Sequence, residues 1–193
     1  MKQIKFLVLS ILFLSLSSCV QNLESVQNGS QISEKDKSIK IQNKWRLLDE
    51  DIYSIEYPDD WVVDKSGDSG TRFFLSSPPS STQDKVRENV NLIIQDLKGQ
   101  NINLDKYVAI TEEQIKTLLT NGNILKSTRM NSNGISSHQF IYTGKIGDFN
   151  FKFLQYIWIL GEKAFVLTLT CEANEFDKYR ETGEKILNSF KIK

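Results

Sequence analysis

The chain has 193 residues, with 24 basic and 24 acidic side chains and a formal net charge of zero at pH 7. This balance gives no concentrated basic surface, which argues against a nucleic-acid-binding protein. The length suits one domain of ordinary size with shorter flanking segments.

The first 19 residues are organised as a secretory signal. Lys2 and Lys5 give a positive start, residues 6–16 are almost wholly apolar, and LSSC follows at residues 16–19. This ending resembles the lipobox of bacterial lipoproteins. The resemblance implies that residues 1–18 are a signal peptide that is removed. It also implies that Cys19 becomes the first residue and carries lipid, with acyl chains such as palmitate.

Two other interpretations of this segment are an uncleaved membrane anchor and an ordinary signal with a chance cysteine. The apolar run is too short for an anchor, since spanning a bilayer takes about 20 residues. Small residues directly before Cys19 favour lipidation over ordinary cleavage. Val20 is not the aspartate that often retains lipoproteins at an inner membrane. The resemblance therefore favours a lipid anchor in the outer membrane of a cell envelope with two membranes.

Cys171 is the one cysteine besides Cys19, so a lipidated chain has no partner for an internal disulfide. It ends the apolar run AFVLTLTC at residues 164–171, which indicates a buried core thiol. A nucleophilic thiol is the less favoured alternative, because the neighbouring residues are not electropositive.

The mature chain divides into a tether and one domain. Residues 19–44 hold the lipidated cysteine and a polar stretch without helical or strand periodicity, which predicts a flexible tether. Residues 45–193 have the size of a single domain with one core. Within them, alternating apolar residues and turn signals predict strands over residues 52–57, 61–63, 72–76, 89–97, 124–130, 135–146, 151–160 and 164–171.

Two helices complete the predicted elements. Asn103 is a plausible N-cap for a helix through Leu119, and Asn174 is a plausible N-cap for a closing helix. Residues 151–160 are apolar at both odd and even positions, which is typical of a central strand that is covered on both faces. The sequence therefore predicts an α+β domain, an antiparallel β-sheet flanked by helices on both faces.

Several motifs, in this order, resemble the PsbP-like domain family, named after an extrinsic protein of photosystem II. They are YPDDW at residues 57–61, NVNLII at 89–94, LDKY at 104–107, FVLTLT at 165–170 and SFKI at 189–192. The resemblance covers residues 45–193 and extends to the related DcrB-like envelope lipoproteins. It implies an antiparallel sheet between helices, in agreement with the pattern above.

The features that the resemblance ties to photosystem II docking have no counterpart in this sequence. These are a basic N-terminal extension and metal-binding histidines, and His138 is the only histidine. Any histidine-dependent catalytic device would need His138, but no residue at a diagnostic spacing supports one. We interpret it as a surface or half-buried strand residue. The sequence also lacks Ser-x-x-Lys, Gly-x-Ser-x-Gly and Cys-x-x-Cys motifs, and we expect no catalytic residue, metal or cofactor.

Two clusters remain as weaker candidates. Asp59, Asp60, Asp64 and Asp68 are spaced unlike a calcium-binding loop, so we interpret them as exposed loop acids. The three tryptophans, Trp45, Trp61 and Trp158, are core material or, alternatively, part of a ligand groove. We predict that Trp158 is buried beneath a helix.

Two functional classes follow. The first is a membrane-anchored, non-catalytic binding or accessory lipoprotein that assists another protein of the envelope or membrane. Its role would be of photosystem II type if the host is photosynthetic. The alternative is an envelope hydrolase or metal-dependent enzyme whose site is assembled from distant residues. A pocket joining His138 to a serine or to two carboxylates would distinguish the second class.

Overall fold

The computed structural model of the protein describes residues 44–132 and 134–193. The predicted signal peptide, Cys19 and all of the tether except Lys44 lie outside these residues, and so does Asn133, which falls between the predicted strands over 124–130 and 135–146. Among the described residues, no helix combines the length and apolar character needed to cross a membrane.

The described residues form two antiparallel sheets, two α-helices and a short 3₁₀ turn at Asp68–Gly70. The strands are β1 Trp45–Asp49, β2 Tyr53–Pro58, β3 Val62–Asp64, β4 Thr71–Ser76, β5 Asn89–Asp96, β6 Thr120–Ser132, β7 Ile135–Ile146, β8 Phe149–Leu160, β9 Lys163–Glu172 and β10 Lys191–Ile192. The helices are α1 Leu104–Leu118 and α2 Phe176–Ser189. A seven-stranded sheet has the order β3-β4-β5-β9-β8-β7-β6, and a small sheet has the order β1-β2-β10.

The two helices cover opposite faces of the large sheet. Helix α1 packs on β6, β7 and β8, whereas α2 packs on β9, β5 and β8 and also on β2. The alternation along β8 divides its side chains accordingly. Leu154 and Tyr156 lie in the core cluster of α2, and Phe153 and Ile157 lie in that of α1. The predicted α+β class, with helices on both faces of an antiparallel sheet, is therefore confirmed.

The starts of the two helices differ in how well the sequence predicted them. The side chain of Asn103 accepts a 2.9 Å hydrogen bond from the backbone N–H of Lys106, as expected of an N-cap. The N-cap prediction at Asn174 is wrong, because α2 begins at Phe176. Ala173 still donates to the carbonyl of Asn150 beside the ladder, which leaves Asn174 inside the connecting turn.

A glycine makes the reversal from α1 into β6 possible. The N–H of Gly122 donates to the Leu119 carbonyl at 2.9 Å, and a Cβ at this position would lie 1.8 Å from the carbonyl oxygen of Ile115. Real Cβ atoms do not approach backbone oxygen so closely, so residue 122 has no space for a side chain.

The last residues of the chain complete the small sheet. β10 pairs with β2, with Lys191 opposite Ser54. The Ser189 hydroxyl, at the end of α2, accepts a 2.8 Å hydrogen bond from the backbone N–H of Glu56 on β2. This N–H is thereby paired although β10 does not extend to it. The end of α2 therefore connects directly to a strand near the start of the domain.

Candidate binding groove

An open groove of about 400 Å³ lies where the β6–β7 hairpin passes the end of α2. Its lining includes Tyr156 and Trp158 from β8, Phe190 after α2, and Met130, Ile135 and Ile192. The groove exists because α2 packs on β9, β5 and β8 of the large sheet, and no helix within residues 44–132 and 134–193 covers the same face of β6 and β7.

Trp158 is the central aromatic residue of this groove. It is half-buried, and its ring lies 5.8 Å from Tyr156, edge-on, and 5.4 Å from Phe190. The prediction that a helix buries the indole is wrong. Trp158 pairs with Ser137 and Phe165 near one end of the sheet, and α2 ends before it covers this row.

The other two tryptophans have different roles. Trp61 is 6% exposed and meets the Tyr179 ring edge-on at 6.5 Å, so it belongs to the core under α2. Trp45 is half-buried with the Lys185 ammonium 4.0 Å from its ring centre. The tryptophans therefore do not share one groove, and neither Trp45 nor Trp61 lines the groove around Trp158.

Polar groups along the groove favour hydrogen bonding with an uncharged or anionic ligand. The Tyr156 hydroxyl accepts from Gln139 Nε2 at 3.1 Å, and burial raises the pKa of Tyr156, which keeps its own proton available as a donor. Asn131 and Asn188 add side-chain amides. Among the described residues that line the groove, Lys191 carries the one formal charge and none is acidic.

His138 lies on the opposite face of the sheet and is only 6% exposed, so its interpretation as a surface or half-buried residue is wrong. Its ring packs 4.5 Å from Phe140, and its Nε2 lies 2.8 Å from the Ser127 hydroxyl. Ser127 in turn lies 3.0 Å from the Glu112 carboxylate on α1. Sequence reasoning missed this cluster because a helix brings Glu112 over β6 and β7 from outside the hairpin.

The order of groups in this cluster differs from that of a serine nucleophile with its base. A carboxylate only accepts, so the Ser127 hydroxyl donates to Glu112 and accepts from Nε2–H of His138. The unprotonated Nδ1 of His138 is buried without a partner among the described residues. In a catalytic triad the imidazole lies between serine and acid and accepts the serine proton. Burial and Arg129 lower the pKa of His138, so the ring is neutral, but its lone pair faces away from Ser127.

The remaining sequence candidates have structural roles. Cys171 is fully buried in the core, and burial raises its pKa, which confirms the interpretation as a core thiol. Asp60, Asp64 and Asp68 are exposed, Asp59 is half-buried, and Asp64 accepts from the backbone of Ser66. No group of three or more metal-ligating side chains is assembled within residues 44–132 and 134–193.

The sequence did not reveal an acidic cleft of about 210 Å³ between the loop before β5 and the turn before α2. Asp84, Glu88, Glu172 and Glu175 line it. Glu88 is 2% exposed and lies 3.4 Å from the Ser77 hydroxyl, and burial raises its pKa. The cleft joins segments far apart in the chain, so no local pattern indicates it.

Together, the layered sheet and the groove define an α+β domain with an open groove whose floor is aromatic. The family model for PsbP matches residues 48–192, and the chain belongs to the PsbP family. A search of curated proteins finds no match in sequence.

Three solved structures share this fold. The solution structure of cyanobacterial PsbP (CyanoP) from Synechocystis sp. PCC 6803 has a TM-score of 0.60 at 15% identity, covering 83% of this chain and 98% of that one. A protein of unknown function and putative regulator, PA94 of Pseudomonas aeruginosa, has a TM-score of 0.55 at 14% identity, covering 75% and 94%. LpqN of Mycobacterium tuberculosis, described as involved in cell envelope biogenesis, has a TM-score of 0.55 at 14% identity, covering 77% and 90%.

Proposed function

We propose that this chain is a lipid-anchored accessory protein of a bacterial envelope, and that its PsbP domain binds another envelope or membrane protein through the groove around Trp158. The observation that carries the proposal is the groove itself. It exposes part of a large indole, offers amide and hydroxyl groups, and is lined by apolar side chains. Tryptophan and tyrosine in such settings are the residues that dominate protein–protein binding energy.

The proposed anchor rests on the sequence of the first 19 residues. The short apolar run and the small residues before Cys19 fit a lipoprotein signal, with acyl chains on Cys19 holding the protein at the membrane. A flexible tether over residues 20–44 would span about 25–30 Å root-mean-square. The domain would then reach partners close to the bilayer surface.

Two relatives are consistent with this role. LpqN is described as involved in cell envelope biogenesis, and CyanoP is a cyanobacterial PsbP. We carry over from them only a role at an envelope or membrane, of photosystem II type if the host is photosynthetic. Val20 after the proposed lipidated cysteine favours the outer membrane where there are two.

A non-catalytic role agrees with the cluster at His138. The imidazole donates to Ser127, and its lone pair is buried away from that hydroxyl. An envelope hydrolase acting at this cluster would require the opposite arrangement, with Nε2 as acceptor.

The test combines the anchor and the groove in living cells. Cys19→Ala should abolish labelling of the protein by an alkyne fatty acid, and label that persists would contradict the anchor. In the otherwise unchanged chain, a photo-crosslinking amino acid replaces Ile135, which is 43% exposed at the groove, or Leu47, which is 59% exposed on β1. We expect a defined protein adduct from position 135 and none from position 47. The same adducts from both positions, or none from either, would contradict binding through the groove.

A further inference from the structure

One wall of the groove includes β10, which pairs with β2 on one side and has an unpaired edge on the other among the described strands. The N–H of Lys193 donates to the Ile52 carbonyl at 3.1 Å, and the N–H of Glu50, directly after β1, donates to the Tyr53 carbonyl at 2.9 Å. Residues 52 and 54 therefore bond toward β10, and residue 53 bonds toward β1. Along an antiparallel strand, the backbone N–H and carbonyl groups of successive residues point to opposite sides. The backbone groups of Lys191 and Lys193 therefore point toward β2, and those of Ile192 point away from it.

Ile192 therefore presents both its N–H and its carbonyl on the side opposite β2. No hydrogen bond to either group is found among the described residues, and β10 is the terminal strand of its sheet. Ile192 also lines the groove, so the residue that carries the unpaired N–H and carbonyl is part of the groove wall. An unpaired strand edge of this kind is a template for pairing with another extended chain.

The rest of the groove complements an extended peptide. Trp158 and Phe190 lie 5.4 Å apart and form an apolar floor beside β10, at the place where alternate side chains of an added strand would point. Lys191 is exposed, and within the part of the chain that the structure describes it makes no ion pair and no acidic side chain lines the groove. An acidic residue next to a large apolar one would complement both features.

We propose that the groove binds an extended segment of a partner polypeptide, which adds as a fourth strand to the edge of β10. The segment places a large apolar side chain over Trp158 and Phe190 and an acidic side chain near Lys191. This inference rests on the proposed function and specifies its mode of binding, by strand addition. An acyl chain fits the observations less well, because it would bury the Ile192 peptide group without a hydrogen bond.

Ile192→Pro is the decisive variant. Proline removes the N–H that points away from β2 and leaves the pairing of Lys191 and Lys193 with β2 intact, as tolerated on edge strands. Ile192→Val keeps that N–H and a branched apolar side chain, so it is the matched control. The probe is a phage-displayed library of random nine-residue peptides, selected against the full chain in detergent micelles. Selected peptides are then synthesised, and their affinity is measured by fluorescence anisotropy.

We expect selected peptides to pair a large apolar residue with an acidic one and to bind the wild-type and Ile192→Val chains equally. Loss of one hydrogen bond should weaken binding to Ile192→Pro about three- to tenfold. Should that variant fail to fold, hydrogen exchange of the Ile192 amide in the wild-type chain decides, with bound peptide expected to slow it at least about tenfold.

Three outcomes would overturn the inference. They are a selection without enriched peptides, peptides that bind Ile192→Pro as tightly as wild type, and displacement of the peptides by lauric acid or by a synthetic peptide of residues 20–43. The photo-crosslink at Ile135 separates this failure from failure of the proposed function. If the adduct at position 135 forms equally in Ile192→Pro cells, strand addition is wrong but the proposed function stands. If no adduct forms in wild-type cells, the proposed function itself is wrong.

Discussion

The contrast between Trp158 and Trp61 gives the sharpest test of where the core ends and the groove begins. Trp61 is 6% exposed and packs against Tyr179, so Trp61→Ala should cost the amount typical of a buried aromatic, about 3–5 kcal/mol. Trp158 is half-buried beside the groove and has ring contacts to Tyr156 and Phe190. Each such contact contributes about 0.5–1.5 kcal/mol.

From these two ring contacts we expect Trp158→Ala to lower the free energy of unfolding by about 1–3 kcal/mol, less than Trp61→Ala. The measurement is urea unfolding of both variants, followed by far-ultraviolet circular dichroism with the m-value fitted separately. The same variants carry the crosslinker at Ile135 in cells. Trp158→Ala should lose the adduct although it stays folded, whereas Trp61→Ala should keep the adduct in proportion to its folded fraction.

Equal destabilisation by the two substitutions would refute this reasoning, because it would show that the Trp158 indole belongs to the core. A stable Trp158→Ala variant with an undiminished adduct would also refute it, since the indole would then contribute to neither stability nor binding.

Three further predictions concern stability. Gly122→Ala should destabilise the domain by about 2 kcal/mol or more in urea unfolding, because the new Cβ would overlap the Ile115 carbonyl oxygen and force the backbone to move. Burial raises the pKa of Glu88, so the folded state holds its proton longer than the unfolded state does. The wild-type chain should therefore lose stability as pH rises above the ordinary carboxyl pKa, and Glu88→Gln should not show this loss. Burial lowers the pKa of His138, so the unfolded state binds the proton first. The wild-type chain should therefore lose stability as pH falls below about 6.5, and His138→Gln should not show this loss.

Each of these predictions has a control. Asn123→Ala, at an exposed position beside Gly122, should be nearly neutral, and an equal loss in both variants would contradict the close approach. The two pH predictions are checked by unfolding at pH 5, 6 and 8. Parallel curves for the wild-type chain and Glu88→Gln, or for the wild-type chain and His138→Gln, would contradict the respective pKa shift.

The sequence predicted the features that depend on neighbouring residues. Alternation along residues 151–171 identified the central hairpin and its two covered faces, and Asn103 identified the start of α1, because both signals are local. The exposure of Trp158 was predicted wrongly because it depends on where α2 ends over the sheet. The burial of His138 depends likewise on a helix from outside its hairpin. Cys19 stays a prediction, since it lies outside the described residues.

The contact between Ser189 and Glu56 has a consequence for the time course of folding. These residues are 133 positions apart, so the contact closes a loop almost as long as the domain. Such long-range closure is entropically costly and slow compared with hairpin formation. β2 can acquire β10 as its second neighbour only after residues 191–192 are available. Until then β1 is the one strand beside β2 among the described elements, so the small sheet is completed late in folding.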